Sequence, residues 1–237
     1  MTVLRGKLCV RVARTAHDVA AVMALRQARF GVGEDRFDQN AILVIIGPED
    51  GPAACCFRLN PCLSPTSVMT SYSAQFYDLA QIAQIAPISV ELGRFCLAEG
   101  GNADVLRLAF AAMTRVVDAY AAGLLFGCTS FQGAQIAAHL PALQVLKSHL
   151  AAHHIGRKSP YVADFMGVSG QDLAVGLRQM PPLLRSYLAL GGWISDHAVQ
   201  DFDLDTLHVF TGVEIANIPA TRATNLRALA AGIAWSA

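Results

Sequence analysis

The stretch "VELGRFCLAEGGNADVLRLAF", residues 90–110, decides the fold, because it sets an apolar run, a glycine pair and a long amphipathic segment end to end. "ISVELGRFCLA", Ile88–Ala98, reads as a strand, and Gly100, Gly101 and Asn102 as a tight loop. From there to Tyr120 the residues Val105, Ala109, Ala112, Met113, Val116 and Val117 recur at helical spacing, with Asp104, Arg107, Thr114, Arg115 and Asp118 opposite. "GLLFGCTSF", from Gly123, is a second, apolar strand. Strand, helix, strand in this order predicts a parallel βαβ crossover, hence an α/β protein with a mixed central sheet flanked by helices. The first strand also carries Glu91 and Arg94, and buried charges persist only when paired.

Upstream, alternation in "KLCVRVAR" predicts a strand, and Thr15 with Asp18 predicts the N-cap of a helix over "AHDVAAVMALRQARF". "AILVIIG" and "AACCFRLN" are β-rich runs joined by "PEDGP", which predicts an antiparallel hairpin. Residues 61–72 read as a loop rich in Pro, Ser and Thr, and "SAQFYDLAQIAQIA" as weakly helical. Downstream of residue 134 the pattern gives a helical "AQIAAHLPALQVLKSHL", a polar stretch, a short helix in "MPPLLRSYLALGG" and a strand in "DTLHVFTGVEI" before an Ala-rich terminal helix. The expectation is one domain over 1–237, with a core over about 8–130 and a helical C-terminal elaboration over about 134–237.

Composition excludes several classes of function. Lys plus Arg and Asp plus Glu each number 18, so no global field attracts nucleic acid, and an acidic partner has to be met by a local patch. The longest apolar run, Ala41–Gly47, is far short of the ~20 residues of a membrane span. Arg5, Lys7 and Arg11 interrupt the apolar residues of the N-terminus, which predicts no secretion signal and a cytoplasmic protein. The six cysteines lack paired C-x-x-C spacing and read as reduced, packed thiols.

A strand, a glycine loop and a helix N-terminus form a site for an anion, since free amides and the helix dipole face the loop. Gly100, Gly101 and Asn102 stand there. Glu91 and Arg94, three apart on a strand, face opposite sides unless a bulge intervenes, and Gly93 is where a bulge costs least. Such a bulge turns amides near Phe95, Cys96 and Leu97 toward a reacting carbonyl. His149 and His153 have helical spacing but no third ligand, so no metal is predicted. Ser195, Asp196 and His197 are consecutive, poor geometry for a triad. Asp196, Asp201, Asp203 and Asp205 read as a solvated loop with turn-forming aspartates, the functional alternative being a contact to a cationic substrate.

The order of elements over residues 41–130 resembles the GNAT superfamily of N-acyltransferases. The strings "FDQNAILVI", "SYSAQFYDL", "VELGRFC", "LLFGCTSFQG" and "PPLLRSYLALGGWISDHAVQDFDLDTLHVF" look like the L-ornithine N-acyltransferases of ornithine-lipid synthesis. There is also similarity to acyl-homoserine-lactone synthases, carried by Arg26 and Phe30, Asp35 and Asp38, Arg58, and Glu91 with Arg94; the tryptophan those synthases carry after the first helix is missing. The resemblance implies a GNAT-like fold and transfer of a 3-hydroxyacyl chain from acyl carrier protein to the α-amine of L-ornithine. Another amino acid such as glutamine as acceptor, or a non-catalytic acyl-binding module, are the alternatives. The loop "AEGGNAD" departs from the CoA-binding pattern, and Glu99 and Asp104 would repel a pyrophosphate, which points to a carrier-protein donor with no bound cofactor beyond its acyl-phosphopantetheine.

Aminolysis of a thioester requires a neutral amine, so a carboxylate must take its proton. Glu91 is the first choice and Asp38 the second, with Arg94, Arg26 and Arg58 completing the charged set. Arg107, Arg115, Arg157 and Lys158 are the candidate docking cations for an acidic carrier protein. "PPLLRSYLALGGW" fits either a peripheral contact at the inner membrane face, with Arg185 at the headgroups, or an internal helix, the preferred reading.

Overall fold

The computed structural model describes residues 8–49, 51–100, 103–233 and 235–236. Gly101 and Asn102, two of the candidate loop residues, lie outside the described residues. The elements run β1 (Cys9–Val12), α1 (Ala16–Phe30), β2 (Ile42–Gly47), β3 (Cys55–Cys62), α2 (Pro65–Met69), β4 (Tyr77–Asp78), α3 (Ala80–Ile85), β5 (Ser89–Leu97), α4 (Ala103–Ala119) and β6 (Leu124–Gln132). They continue as α5 (Leu140–Leu146), β7 (Gly156–Arg157), β8 (Val162–Asp164), α6 (Leu173–Gln179), α7 (Pro182–Ala189), β9 (Trp193–Asp201), β10 (Thr206–Glu214), α8 (Ala220–Gly232) and β11 (Trp235–Ser236).

These elements form two compact units, the first drawn from the chain up to Pro61, from Val90–Ala122 and from Ala220 onward, the second from Cys62–Ser89 and Gly123–Pro219. In the first unit the strands lie in the order β11-β1-β2-β3-β5. β1, β2 and β3 are successively antiparallel, as the "PEDGP" turn requires, and β11 is parallel to β1. Thr15 and Asp18 close a capping box on α1, satisfying two of the helix's orphan amides, and Gly31 at φ 68° ends the helix in the left-handed conformation. α4 buries Val105, Ala109, Met113 and Val116 on one face. α8 packs on α4, and Arg227 pairs with Asp118 at 3.1 Å.

In the second unit the order is β6-β10-β9-β8, with β10 antiparallel to both β6 and β9. Alternation along β10 divides the core in two: Phe210 joins Tyr77, Leu79, Phe126, Trp193 and Val199, whereas Val209 joins Leu143, Phe165, Leu184 and Ile194. α7 turns Leu184 and Tyr187 inward and Arg185 outward, so the prolines that open it introduce an internal helix.

Three local expectations are corrected. Within the 61–72 loop, Ser64 and Ser67 form a capping box with Pro65 at the first helical position, which nucleates α2. The weak helix over 73–86 is broken at Tyr77–Asp78, which pairs with Gly156–Arg157 instead. Most of the acidic loop is strand β9, buried despite its polar residues, and only the turn from Phe202 to Asp205 remains of it. There Asp201 Oδ1 accepts from the amides of Asp203 and Leu204, and Asp205 Oδ1 accepts from that of Ala134, so these two aspartates are turn-forming.

Candidate active site

Five charged residues of the first unit converge: α1 supplies Arg26, the turn after it Asp35 and Asp38, β3 Arg58, and β5 Arg94; Glu91 is buried on that same strand. Arg26 Nη1 lies 2.7 Å from Asp38 Oδ2, and Arg58 Nη1 lies 3.2 Å from Asp38 Oδ1. Arg58 also pairs with Asp35, whose other oxygen receives Arg94 Nη2 at 2.9 Å. The result is a continuous chain, Arg26–Asp38–Arg58–Asp35–Arg94. Arg26, Arg58, Asp38 and Glu91 are all buried, which demands such pairing. The carboxylates are aimed by their own turn: Asp38 Oδ2 accepts from the amide of Asp35, and Asp35 Oδ1 from that of Phe37, each at 2.9 Å. Burial pushes the Asp35 carboxyl up, but the hydrogen bond and charge of Arg58, with the hydrogen bonds of Arg94 and the Phe37 amide, outweigh it and hold the group below its ordinary value.

The backbone of β5 departs from the expected position. The left-handed residue is Arg94, at φ 52°, rather than Gly93. Gly93 is required for a different reason: a Cβ there would stand 2.8 Å from Arg58 Nε. A bulky residue at positive φ inside a strand is strained, and here the pairing with Asp35 helps to hold it. This reversal of the alternation carries Arg94 into the charged chain.

Past the turn, Phe95 stacks on Phe57 with ring centroids 5.6 Å apart, and Leu97 is half-buried. Cys96 is buried beside Cys56; the hydrogen bond with that thiol, together with burial, pushes the Cys96 thiol up, which makes it a packing group rather than a nucleophile. Ala98 donates to the Ala54 carbonyl at 2.9 Å, and Gly100 is exposed at φ 81°. Asp35 is the residue that sequence reasoning underrated: it appeared only through the synthase resemblance, yet it links Arg58 to Arg94.

The remaining candidates have structural employment in the second unit. His153 pairs with Glu214 at 3.1 Å and stands edge-on to Trp193. Ser195 Oγ donates to the His197 carbonyl and accepts the Phe210 amide at 3.1 Å, patching an irregularity where β9 holds two more residues than β10. Arg157 pairs with Asp164, and Lys158 donates to the Ala74 carbonyl. Two groups unmarked by the sequence, Tyr77 and His208, are joined at 3.0 Å in the same unit.

Residues 19–100 match the family model described as an acetyltransferase (GNAT) domain. The chain is similar to an L-ornithine N(alpha)-acyltransferase of Brucella abortus, 27% identical over 248 aligned positions that take in 91% of this chain and 88% of that protein. It is similar also to an L-ornithine N(alpha)-acyltransferase of Rhodobacter capsulatus, 28% identical over 226 positions covering 84% of this chain and 87% of that one. Among solved structures, TofI in an apo form matches 94% of this chain and 99% of its own, with 16% identity and a TM-score of 0.48. The family match and the two relatives bear out the GNAT-like α/β fold class and the resemblance read from the sequence.

Proposed function

We propose that this GNAT-type chain, similar over most of its length to L-ornithine N-acyltransferases, moves a 3-hydroxyacyl chain from acyl carrier protein to the α-amine of L-ornithine, giving lyso-ornithine lipid. The observation that carries the reading is the pairing of that similarity with a buried carboxylate, Glu91, on the strand whose backbone turns at Arg94.

The α-amine is mostly protonated at neutral pH and must lose a proton to attack. Glu91 takes it, directly or through one water. The amine nitrogen then adds to the thioester carbonyl carbon, and the amides of Phe95, Cys96 and Leu97, which follow the turn, hold the oxyanion. As the adduct collapses, the nitrogen gives up its extra proton, the amide forms and the C–S bond breaks, and the phosphopantetheine sulfur takes up that proton and leaves as the thiol. No residue of the chain becomes covalently attached. The charged chain from Arg26 to Arg94 fixes β5 and the turn after α1, and Asp38, held between two arginines, is a positioning residue in this scheme rather than the base. The loop at Gly100 faces the single phosphate of the carrier protein's arm.

Incubating the purified protein with 3-hydroxyacyl-carrier protein and L-ornithine should yield a product of the mass of lyso-ornithine lipid, and a panel of amino acids should leave ornithine preferred. Product from acetyl-CoA in place of the carrier-protein donor would overturn the donor assignment. Glu91→Gln should lower kcat by about 10²–10⁴-fold if the carboxylate moves the proton.

A further inference from the structure

Two thiols of the first unit stand beside the charged chain and take no part in the transfer chemistry. Cys56, on β3, and Cys96, on β5, are both buried and share one cluster with Val22 of α1 and Ile45 of β2. β3 and β5 are hydrogen-bonded neighbours in the sheet. Their register follows from the contacts on either side of the thiols: the Ala98 amide donates to the Ala54 carbonyl at 2.9 Å, and the Phe57 and Phe95 rings stack. One residue number rises as its partner's falls, so the strands run antiparallel there and Cys56 faces Cys96 between the two contacts. Facing residues of such a pair lie about 4.5–5.5 Å apart at Cα, within the about 4.4–6.8 Å that a disulfide bridges.

The two sulfurs are chemically unlike. The Val22 carbonyl is 3.8 Å from Cys56 Sγ, and Arg26, one helical turn further along α1, brings its guanidinium to the same sulfur. The hydrogen bond between the two thiols, with the charge and a hydrogen bond of Arg26, outweighs burial and holds the Cys56 thiol below its ordinary value. Cys96 is pushed up, first by the same hydrogen bond and then by burial. Cys56 is therefore the sulfur that reacts first. Cys55 points to the opposite face of β3 and is pushed well up by burial, so it takes no share.

We propose that Cys56 and Cys96 form a reversible oxidation site, closed by a peroxide into a disulfide that ties β3 to β5 and displaces the turn of β5 at Arg94. The Cys56 thiolate attacks one peroxide oxygen, the O–O bond breaks, and the departing hydroxide takes up a proton as water, leaving a sulfenic acid. With oxygen on Cys56, the thiolate that kept the Cys96 proton in place is gone. The Cys96 sulfur then displaces the hydroxyl from Cys56, and its proton leaves with that hydroxyl as a second water. The pair loses two electrons and the peroxide gains them. A small oxidant suits the site, because thiols on residues 0% and 2% exposed leave no approach for a bulky disulfide, while β5 is only half-buried on either side of Cys96, at Phe95 and Leu97. Facing Cβ atoms lie about 4.5–5.5 Å apart and a disulfide holds them at about 3.5–4.5 Å, so closure draws the strands about 1 Å together. Cys56 is two residues from Arg58 and Cys96 two from Arg94, so the movement falls on the charged chain and on the amides of Phe95, Cys96 and Leu97. A displacement of that size in a reacting geometry costs about 10²-fold in rate. This last consequence, and only it, rests on the reading of the chain as an acyltransferase.

For the test, the full chain is reduced, desalted, treated with hydrogen peroxide, digested without reductant and mapped by mass spectrometry, while ¹⁵N-labelled protein is followed by amide NMR. The expected result is a peptide pair joined through Cys56 and Cys96 and released by dithiothreitol, together with shifted amide signals of Phe95, Cys96 and Leu97. Transfer should fall about 10²-fold and return with the reductant. Cys56→Ala should keep its transfer rate under peroxide, whereas Cys55→Ala should remain as sensitive as wild type. Four outcomes overturn the proposal: no joined pair, Cys56 joined to another cysteine or carried to a sulfinic acid without closing, a joined pair with unmoved amides, or transfer undiminished through a joined pair. These wild-type measurements decide even if a variant fails to fold. A joined pair with shifted amides, in a protein that moves no acyl chain when reduced, would sink the proposed function and leave this inference standing. Transfer by a protein whose thiols stay unjoined under peroxide would do the reverse.

Discussion

At the level of single residues, the charged chain and the buried His197 and His208 make opposite demands on burial. Asp38 sits between Arg26 and Arg58, both essentially unexposed. Removing it leaves two buried guanidiniums with a carboxylate missing, so Asp38→Ala should cost about 3–5 kcal/mol in urea unfolding. Acid should act in two separable windows. Asp35 is held below its ordinary 3.8, so it contributes stability that is complete above that value and is lost as pH falls from there through its lower folded value. His208 behaves differently: its folded value of about 3 lies under the ordinary 6.5, so below 6.5 the unfolded chain takes a proton that the native one refuses. The contribution of His208 should therefore fall by at most about 1.4 kcal/mol per pH unit from 6.5 downward, with His197, also lowered by burial, adding to the slope, well before Asp35 responds. Unfolding free energies of wild type, His208→Gln and Asp35→Asn from pH 7.5 down to about 2 check this. The first variant should flatten the slope below 6.5, and the second should change only its acid end.

At the level of elements, what could be read from sequence was what local chemistry determines. The capping box of α1, the Pro–Gly turn between β2 and β3 and the amphipathic face of α4 each depend on neighbours within a few positions, and all three stand where the sequence puts them. The strand β9 was not legible because "SDH" interrupts its alternation. Those polar residues are tolerated only through partners far away in the chain: the Phe210 amide on the Ser195 hydroxyl and the Tyr77 ring over His197. Nor was the turn in β5 legible, since propensity alone assigns positive φ to Gly93, whereas it falls at Arg94, which pairs with Asp35, and Gly93 instead clears Arg58. Ser195→Ala should strand the buried Phe210 amide and lower stability by about 1–3 kcal/mol in denaturant titration, with kcat unchanged. Gly93→Ala should instead displace the Arg58 guanidinium and reduce kcat, with loss of activity exceeding loss of fold by circular dichroism.

At the level of the whole molecule, the chain crosses between its two units at residues 61/62, 89/90, 122/123 and 219/220, so neither is a contiguous stretch of sequence, and this division is set by tertiary contacts that no local pattern announces. Among the described residues no helix is long and apolar enough to cross a membrane. The 18 basic and 18 acidic residues cancel, so attraction for an acidic carrier protein has to come from where cations are placed rather than from their number. Of the four candidates, Arg107 and Arg115 are exposed on one helix, α4, whereas Arg157 pairs with Asp164 and Lys158 donates to a backbone carbonyl; the α4 arginines are the pair to test. The 3.4 Å pairing of Arg107 with Asp104 is largely solvated and holds the guanidinium only weakly. Contacts of this kind steer encounter and leave the chemical step alone. Arg107→Glu combined with Arg115→Glu should therefore raise KM for acyl-carrier protein roughly tenfold at low salt, with kcat unchanged and with KM for acyl-pantetheine unaffected. The difference between variant and wild type should shrink as ionic strength rises past about 0.15 M, where the Debye length falls to about 8 Å. Steady-state kinetics with both donors across a salt series measures this, and an equal rise in KM for the two donors would remove these arginines from the docking surface.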